Sequence, residues 1–294
     1  MAADRMETLE FCRSARTRGE HALAATVLDA AIDQLRAGNG AGLADLLLER
    51  ADLALAAGDL ALADDAARRA GPLAQTAGAT ATMALAAWTV AQVALRRAGN
   101  EKSRYWLGQS VELALQAEAW PVALRAQRAI ARAMREAGDD AGATARLEAL
   151  AADADALALP VDAAACHLDL AQLALEREDG PATLRHIGRV LRDPDSLPPL
   201  LRGEAGLVRA RLLLAVGDVQ AAVAGAVQAV GLLRLAGDAR SLGAGLLLHG
   251  QLLLIALQPE AAGLALGEAL AVTTRAQLPE RAMVADVIAR IRGA

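Results

Sequence analysis

A unit of two helices joined by a tight turn recurs about every 40 residues along this chain, and this repeat constrains the fold more than any other feature. The stretch 121–150 shows it most clearly. Pro121 suits the first turn of a helix, Gly138 suits its end, and Asp139 or Asp140 can cap the next helix. Between these residues, apolar side chains recur at steps of three and four, which is typical of one face of a helix.

The turns of successive units are evenly spaced. The equivalent turn positions are Gly19, Gly58, Gly99, Gly138, Glu178, Gly217 and Gln258, separated by 39, 41, 39, 40, 39 and 41 residues. One pair of helices cannot bury its apolar face alone, whereas stacked pairs can. The repeat therefore predicts seven antiparallel helix pairs at about 3–37, 41–71, 79–117, 121–153, 160–192, 199–236 and 240–275, followed by a capping helix at 279–292.

The composition favours an all-α chain. Hydrophobic residues make up 55% of it and aromatic residues only 2%, so alanine and leucine must provide most of the packing. Alanine is the strongest helix former, and small side chains let helices approach closely. The 294 residues exceed the usual size of one compact core, yet no linker interrupts them. We therefore predict one elongated helical domain, residues 1–294.

The pattern resembles the tetratricopeptide repeat (TPR) family. Its Gly-Asp turn is matched at residues 58–59, 138–139 and 217–218, and its early aromatic residue at Trp88. The small residues of its second helix are matched by Ala24, Ala63, Ala143 and Ala222. The longer period resembles the long-helix branch found in sensor portions of bacterial transcriptional regulators. The resemblance implies a right-handed superhelical solenoid that binds proteins or peptides on a concave surface lined by the first helices.

Recognisable catalytic and metal-binding motifs are absent from the sequence. It lacks CxxC, HExxH, GxSxG and phosphate-loop patterns, and its four histidines are isolated from one another. Cys12 and Cys166 fall on apolar faces of different repeats, which indicates two buried thiols rather than a disulfide. We therefore predict a non-enzymatic protein that uses no metal and no cofactor.

Charge and hydropathy limit the kinds of partner. The formal net charge is -5 and Lys102 is the only lysine, so a basic footprint for nucleic acid is missing. The first residues are charged and lack the apolar core of a signal peptide. Two uncharged stretches, 70–95 and 241–259, fit the repeat as buried helices better than they fit membrane spans. We expect a cytoplasmic protein that binds neither nucleic acid nor membrane.

A stripe of four arginines is the most specific candidate site. In the TPR-like register, Arg125, Arg128, Arg132 and Arg135 occupy the concave-facing positions of the fourth pair. Like charges at these spacings destabilise an isolated helix by about 0.2–0.5 kcal/mol per pair, so the stripe needs neutralising groups. Either Asp169 and Glu176 pair with Arg128 and Arg135 and the rest are solvated, or the stripe binds carboxylates of a partner.

Other groove positions extend this candidate site. Arg96, Arg97 and Arg211 would flank the stripe, and the second pair contributes the acids Asp45, Glu49 and Asp52. The sixth and seventh pairs contribute leucines, namely Leu207, Leu214, Leu248 and Leu252. These leucines could anchor apolar side chains of a partner, form a homodimer contact, or be covered by the last helix.

The sequence thus supports two main hypotheses for function. The first is an adaptor or scaffold that binds an acidic, partly apolar peptide or partner surface in its concave groove. The second is a module that senses a ligand or peptide and regulates a separate transcriptional effector. An enzyme is the least supported class, because no acid, base and nucleophile converge.

Overall fold

The computed structural model describes residues 2–35, 40–97 and 99–293, and helices dominate all three ranges. The described residues form no strand. The helices are α1 Ala2–Thr17, α2 His21–Leu35, α3 Gly40–Ala57, α4 Leu60–Thr76, α5 Thr80–Arg96, α6 Asn100–Gln116, α7 Trp120–Glu136, α8 Asp140–Ala156, α9 Pro160–Glu176, α10 Gly180–Val190, α11 Pro199–Ala215, α12 Val219–Ala236, α13 Ala239–Ile255, α14 Pro259–Arg275 and α15 Arg281–Gly293. A short 3-10 turn, Pro194–Ser196, separates α10 from α11. Within these ranges, the predicted all-α class with seven helix pairs and a final helix is confirmed.

The chain divides into two compact units, residues 1–163 and 164–294, and the division falls inside α9. In the first unit each helix from α1 to α8 packs on the next, and α1, α3, α5 and α7 also contact one another in series. In the second unit α10 to α15 pack in order, and α11 also contacts α13. First helices therefore form a continuous row within a unit, which is the packing of a TPR-like array. That all 294 residues form a single domain stays a prediction.

The turns explain why the repeat is regular, and they correct its alignment at two places. Gly58, Gly138 and Gly217 have positive φ, the left-handed conformation that glycine adopts without strain. Gly99, in contrast, is the N-cap of α6 with φ of -89°. Gln258 is likewise an N-cap, and it is Leu257 before it that is left-handed. Aligning the seventh turn on Leu257 separates it from Gly217 by 40 residues, where the sequence alignment gave 41.

Replacing Leu257 with glycine is expected to stabilise the protein. Leu257 has φ of 59° and its side chain is 87% exposed, so it has backbone strain and almost no packing to lose. The left-handed conformation costs an L-residue about 1–2 kcal/mol, and glycine avoids most of that cost. We expect the free energy of unfolding in urea to rise by about 1 kcal/mol. Leu264→Gly, at an exposed position inside α14, should lower it by about 1 kcal/mol instead; a loss in both variants would contradict the account.

Aspartates at the turns begin several of the second helices. The N-cap carboxylates of Asp59, Asp139, Asp179 and Asp218 accept hydrogen bonds from backbone N–H groups three residues later, at 2.9–3.0 Å. These N–H groups have no partner within the helix, so the caps fix where each helix starts. Of the two alternatives considered for α8, the structure selects Asp139.

Small side chains fill the core, as the composition predicts. Ala24, Ala63, Ala143 and Ala222 are all fully buried. Cys12 and Cys166 are buried and are not joined in a disulfide. Burial and, to a smaller extent, the negative charge of Glu49 raise the pKa of the Cys12 thiol. One described helix, α12, is long and apolar enough to cross a membrane by length and composition. A core helix of a helical array passes the same test, and α12 packs against α11 and α13.

Candidate functional site

Helix α7 presents the arginine stripe between two buried flanks. Its buried residues include Val122, Ala126 and Ala129 towards one side and Leu124 and Ala131 towards the other. The stripe lies on the remaining face. Arg125 is exposed, and Arg128, Arg132 and Arg135 are half-buried and make contacts with other groups. The four guanidinium groups therefore occupy one strip of α7, which belongs to the row of first helices.

The acids of α3 are not available to this stripe, because neighbouring helices use them. Arg16 of α1 donates to Glu49 at 2.5 Å and to Asp52 at 2.8 Å. Thr82 of α5 donates its hydroxyl to Asp45 at 3.1 Å. Helix α5, which lies between α3 and α7, carries no charged residue from 80 to 95. Along the row, an arginine of α1 thus pairs with acids of α3, α5 is uncharged up to residue 95, and α7 is basic.

A buried carboxylate at the start of α9 lies beside one end of the stripe. Asp162 is only 7% exposed, and its carboxylate oxygen lies 3.8 Å from Nε of Arg125. Burial raises the pKa of the Asp162 carboxyl, and the positive charges of Arg125 and Arg128 oppose that shift. One carboxylate therefore faces two guanidinium groups. Asp162 belongs to no motif of the sequence, although an acid in the first turn of the next first helix was a signal that could have identified it.

Arg125 keeps its hydrogen-bonding capacity. The 3.8 Å separation from Asp162 is an ion pair but is too long for a hydrogen bond. Arg125 donates no hydrogen bond to any described residue, and its side chain is 48% exposed. A guanidinium has five N–H donors arranged as a fork that matches a carboxylate. Arg125 can therefore bind an incoming acceptor while Asp162 stays in place.

Arg96 and Arg97 do not extend the stripe. Arg96 donates to the carbonyl oxygen of Leu55, in the last turn of α3, where carbonyl groups lack partners within the helix. Arg97 donates to the carbonyl oxygen of Leu60 and pairs with Asp64, both at 3.2 Å. Both side chains reach back to the turn between α3 and α4. Their contacts join consecutive helix pairs, whereas the sequence analysis placed them beside the groove.

The predicted leucines lie mostly in a core rather than on a surface. Leu207, Leu248 and Leu252 are buried in one cluster with alanines of α12, and Leu214 packs partly buried against that cluster. Three of the four, at 0–8% exposed, therefore offer a partner little accessible surface. Arg211 of α11 is exposed and has no ion pair among the described residues. It lies in the second unit, 164–294, whereas the stripe lies in the first.

Two histidines that the sequence analysis treated as isolated are neighbours. Their Nδ1 atoms, on His167 of α9 and His186 of α10, are 3.3 Å apart, and the ring centroids are 5.4 Å apart. Residues 19 positions apart meet because α9 and α10 form one antiparallel pair. Within the described ranges, no group of three or more His, Cys, Asp or Glu residues could hold a metal ion.

Comparisons with known proteins support the fold. No protein-family model and no curated protein matches the sequence. The crystal structure of a Rap protein complexed with competence and sporulation factor is similar, with a TM-score of 0.73, 13% identity, and coverage of 90% of this chain and 73% of that chain. The crystal structure of BtubC (BKLC) from P. vanneervenii gives a TM-score of 0.52 at 13% identity, covering 77% of this chain and 91% of that chain. At these identities the likeness concerns architecture alone, and the architecture is a TPR-like array of antiparallel helix pairs.

Proposed function

We propose that this chain is a non-enzymatic scaffold that binds an acidic peptide, or an acidic surface of a protein partner, on the first-helix face of residues 1–163. The arginine stripe of α7, residues 125, 128, 132 and 135, would receive the carboxylates. The proposal rests on one observation about Arg125. Its side chain is half-exposed and lies beside buried Asp162, and its guanidinium N–H groups can still donate hydrogen bonds.

The dimensions of the stripe suit a short extended segment. Residues 125 and 135 are ten positions apart on α7, which corresponds to about 15 Å at 1.5 Å per residue. An extended peptide covers that distance with about five residues. Successive side chains of an extended segment point to opposite sides, so two or three carboxylates could face the stripe. An acidic partner would also relieve the repulsion among the four guanidinium groups.

The half-buried arginines can take part although each already has contacts. A guanidinium donates up to five hydrogen bonds and cannot be deprotonated in a protein, so one internal contact leaves other donors. The apolar part of the sequence-based hypothesis has less support, because Leu207, Leu248 and Leu252 are core residues. The proposal therefore rests on carboxylate recognition.

Charge reversal on α7 tests the proposal. A fluorescent peptide with five consecutive glutamates is titrated into the wild type and into the double variant Arg128→Glu, Arg132→Glu, with a five-glutamine peptide as the neutral probe. We expect the double variant to bind the glutamate peptide at least tenfold more weakly, which is about 1.4 kcal/mol. Fluorescence anisotropy at about 0.1 M salt gives the dissociation constants.

A matched variant separates the stripe from general electrostatics. Arg185→Glu, Arg189→Glu makes the same change of charge at the same i, i+4 spacing, on exposed residues of α10. Its affinity for the glutamate peptide should stay within about twofold of the wild type. Equal affinities of the α7 variant and the wild type, or equal losses in both double variants, would show that the stripe is not the binding site.

A second candidate function is a sensor that binds a signalling molecule and regulates a separate effector protein. The likeness to a Rap protein complexed with competence and sporulation factor favours it, because that structure contains a protein of this architecture with a bound factor. A ligand-dependent rise in melting temperature and a neighbouring gene for a regulator without a sensor portion would support it. In either function we propose a cytoplasmic protein.

A further inference from the structure

A cavity of about 430 Å³ opens between the second helices α4 and α6 of the first unit. Both helices pack against α5, and the cavity lies over the surface of α5 that they leave uncovered. Its volume falls within the range of about 300–1,000 Å³ that is usual for small-molecule sites. None of the four stripe arginines lines it.

The floor and one wall of the cavity are apolar. Val90, Val93 and Ala94 of α5 form the floor, in which half-buried Ala94 is more accessible than the two valines. Trp106 of α6 is half-buried and contributes the wall. Water over such a floor has few polar partners, so an apolar group that replaces it gains free energy. A planar or branched hydrocarbon body suits this part of the cavity, since the indole offers a flat face.

The rim of the cavity is charged, and its cations outnumber its anions. Asp64 accepts from Nε of Arg68 at 2.8 Å and pairs with Arg97 at 3.2 Å. Arg97 also donates to the carbonyl oxygen of Leu60, so two of its five N–H donors are engaged. Lys102 and Glu101 complete the rim. Three cations and two carboxylates leave a net charge of +1.

Two rim cations retain donors that face solvent. Arg68 uses Nε for Asp64, and its terminal nitrogens donate no hydrogen bond to the described residues. Lys102, the only lysine of the chain, is exposed and pairs with no described residue. A guanidinium fork and an ammonium group on one rim suit a carboxylate, and the net charge of the rim matches one negative charge.

We propose that this cavity binds a small organic monocarboxylate with an aromatic or branched apolar body. The carboxylate contacts the terminal nitrogens of Arg68 and the ammonium group of Lys102. The apolar body lies over Val90, Val93 and Ala94, beside Trp106. This site is separate from the scaffold function proposed above, because its contacts come from α4, α5 and α6 and not from the stripe on α7.

Calorimetric titration of the full chain with 1-naphthoate tests the proposal. We expect saturable binding of one naphthoate per chain. Naphthalene-1-carboxamide has nearly the same shape without the charge, and acetate has the charge without the body, so each should bind at least tenfold more weakly. Arg68→Gln and Lys102→Gln should each weaken naphthoate binding at least fivefold, while Ala94→Leu should abolish it by filling the floor.

Arg69→Gln is the matched control. Arg69 pairs with Asp65 through the same i, i+4 spacing that joins Arg68 to Asp64, but Arg69 does not line the cavity. Naphthoate affinity should be unchanged in Arg69→Gln, and glutamate-peptide affinity unchanged in Arg68→Gln, which keeps the two proposed sites distinguishable. Absence of saturable binding, equal losses in Arg68→Gln and Arg69→Gln, or a carboxamide that binds as tightly as naphthoate would each overturn the proposal.

Discussion

Leu252→Ala is expected to lower the free energy of unfolding by about 2–5 kcal/mol, the range for removing a buried leucine side chain. Leu252 is 0% exposed and lies with Leu248 and Leu233 in the cluster formed by α11, α12 and α13. Truncation removes the transfer free energy of three carbons and leaves a cavity that packed neighbours fill only in part. Urea denaturation, followed by circular dichroism at 222 nm, measures it. A lower midpoint concentration of urea at an unchanged slope m shows the loss of stability.

Leu264→Ala is the control for this prediction. Leu264 lies in the same unit, on α14, and is 79% exposed, so the same change of residue should alter stability by no more than about 0.5 kcal/mol. The comparison also decides between two roles for Leu252. If it anchored a partner on an open surface, Leu252→Ala would leave unfolding unchanged and weaken binding instead, and that result would contradict its place in the core.

Much of the fold could be predicted from the sequence because turns and helix faces are local features. A Gly-Asp pair followed by an alanine-rich segment specifies a helix end, an N-cap and a close-packed helix in about six residues. The predicted turn positions were wrong at Gly99 and Gln258, which are N-caps. A glycine suits both an N-cap and a left-handed turn residue, so its identity alone does not give the register.

That the leucines are buried could not be read from the sequence for a different physical reason. Helix α13 packs against α11, α12 and α14, and its buried residues, among them Gly243, Gly245 and Gly250, occupy most of its circumference. A helix that is buried on several sides has no single apolar face, so periodicity does not separate core positions from groove positions. Helix α7 is different, because its four arginines mark one face unambiguously. Its stripe was therefore recognisable from spacing alone.

The long side chains of arginine limit how much of the rest of the site could be predicted from the sequence. Arg96 and Arg135 both lie in the last turn of a first helix, yet Arg96 reaches back to the end of α3. The partner of an arginine depends on which backbone or acid lies within reach on another helix. Asp162 and the histidine pair 167–186 likewise come from contacts between helices. Such contacts follow from the packed structure and are not encoded in spacing along one helix.

Gly203→Leu is expected to destabilise the protein by about 3 kcal/mol, because glycine there lets α11 lie close against α12. A Cβ at position 203 would come within 2.7 Å of Cγ of Leu233 and 3.2 Å of the carbonyl oxygen of Ala229. Leu233 is fully buried and the carbonyl belongs to the backbone, so neither can yield without moving a helix. Overpacking of this kind costs typically about 1–3 kcal/mol, and a leucine adds three further carbons.

A second glycine separates this steric effect from helix propensity. Gly231 lies on α12, is exposed, and a Cβ there would meet nothing within 4 Å. Gly231→Leu should therefore stabilise the protein by up to about 1 kcal/mol, since leucine is the better helix former. If urea denaturation shows a lower free energy of unfolding for Gly203→Leu and a higher one for Gly231→Leu, the close approach of helices that small residues allow stabilises this unit. A stabilising Gly203→Leu would mean that α11 and α12 are farther apart than the structure places them, and that the scarcity of aromatic residues has another cause.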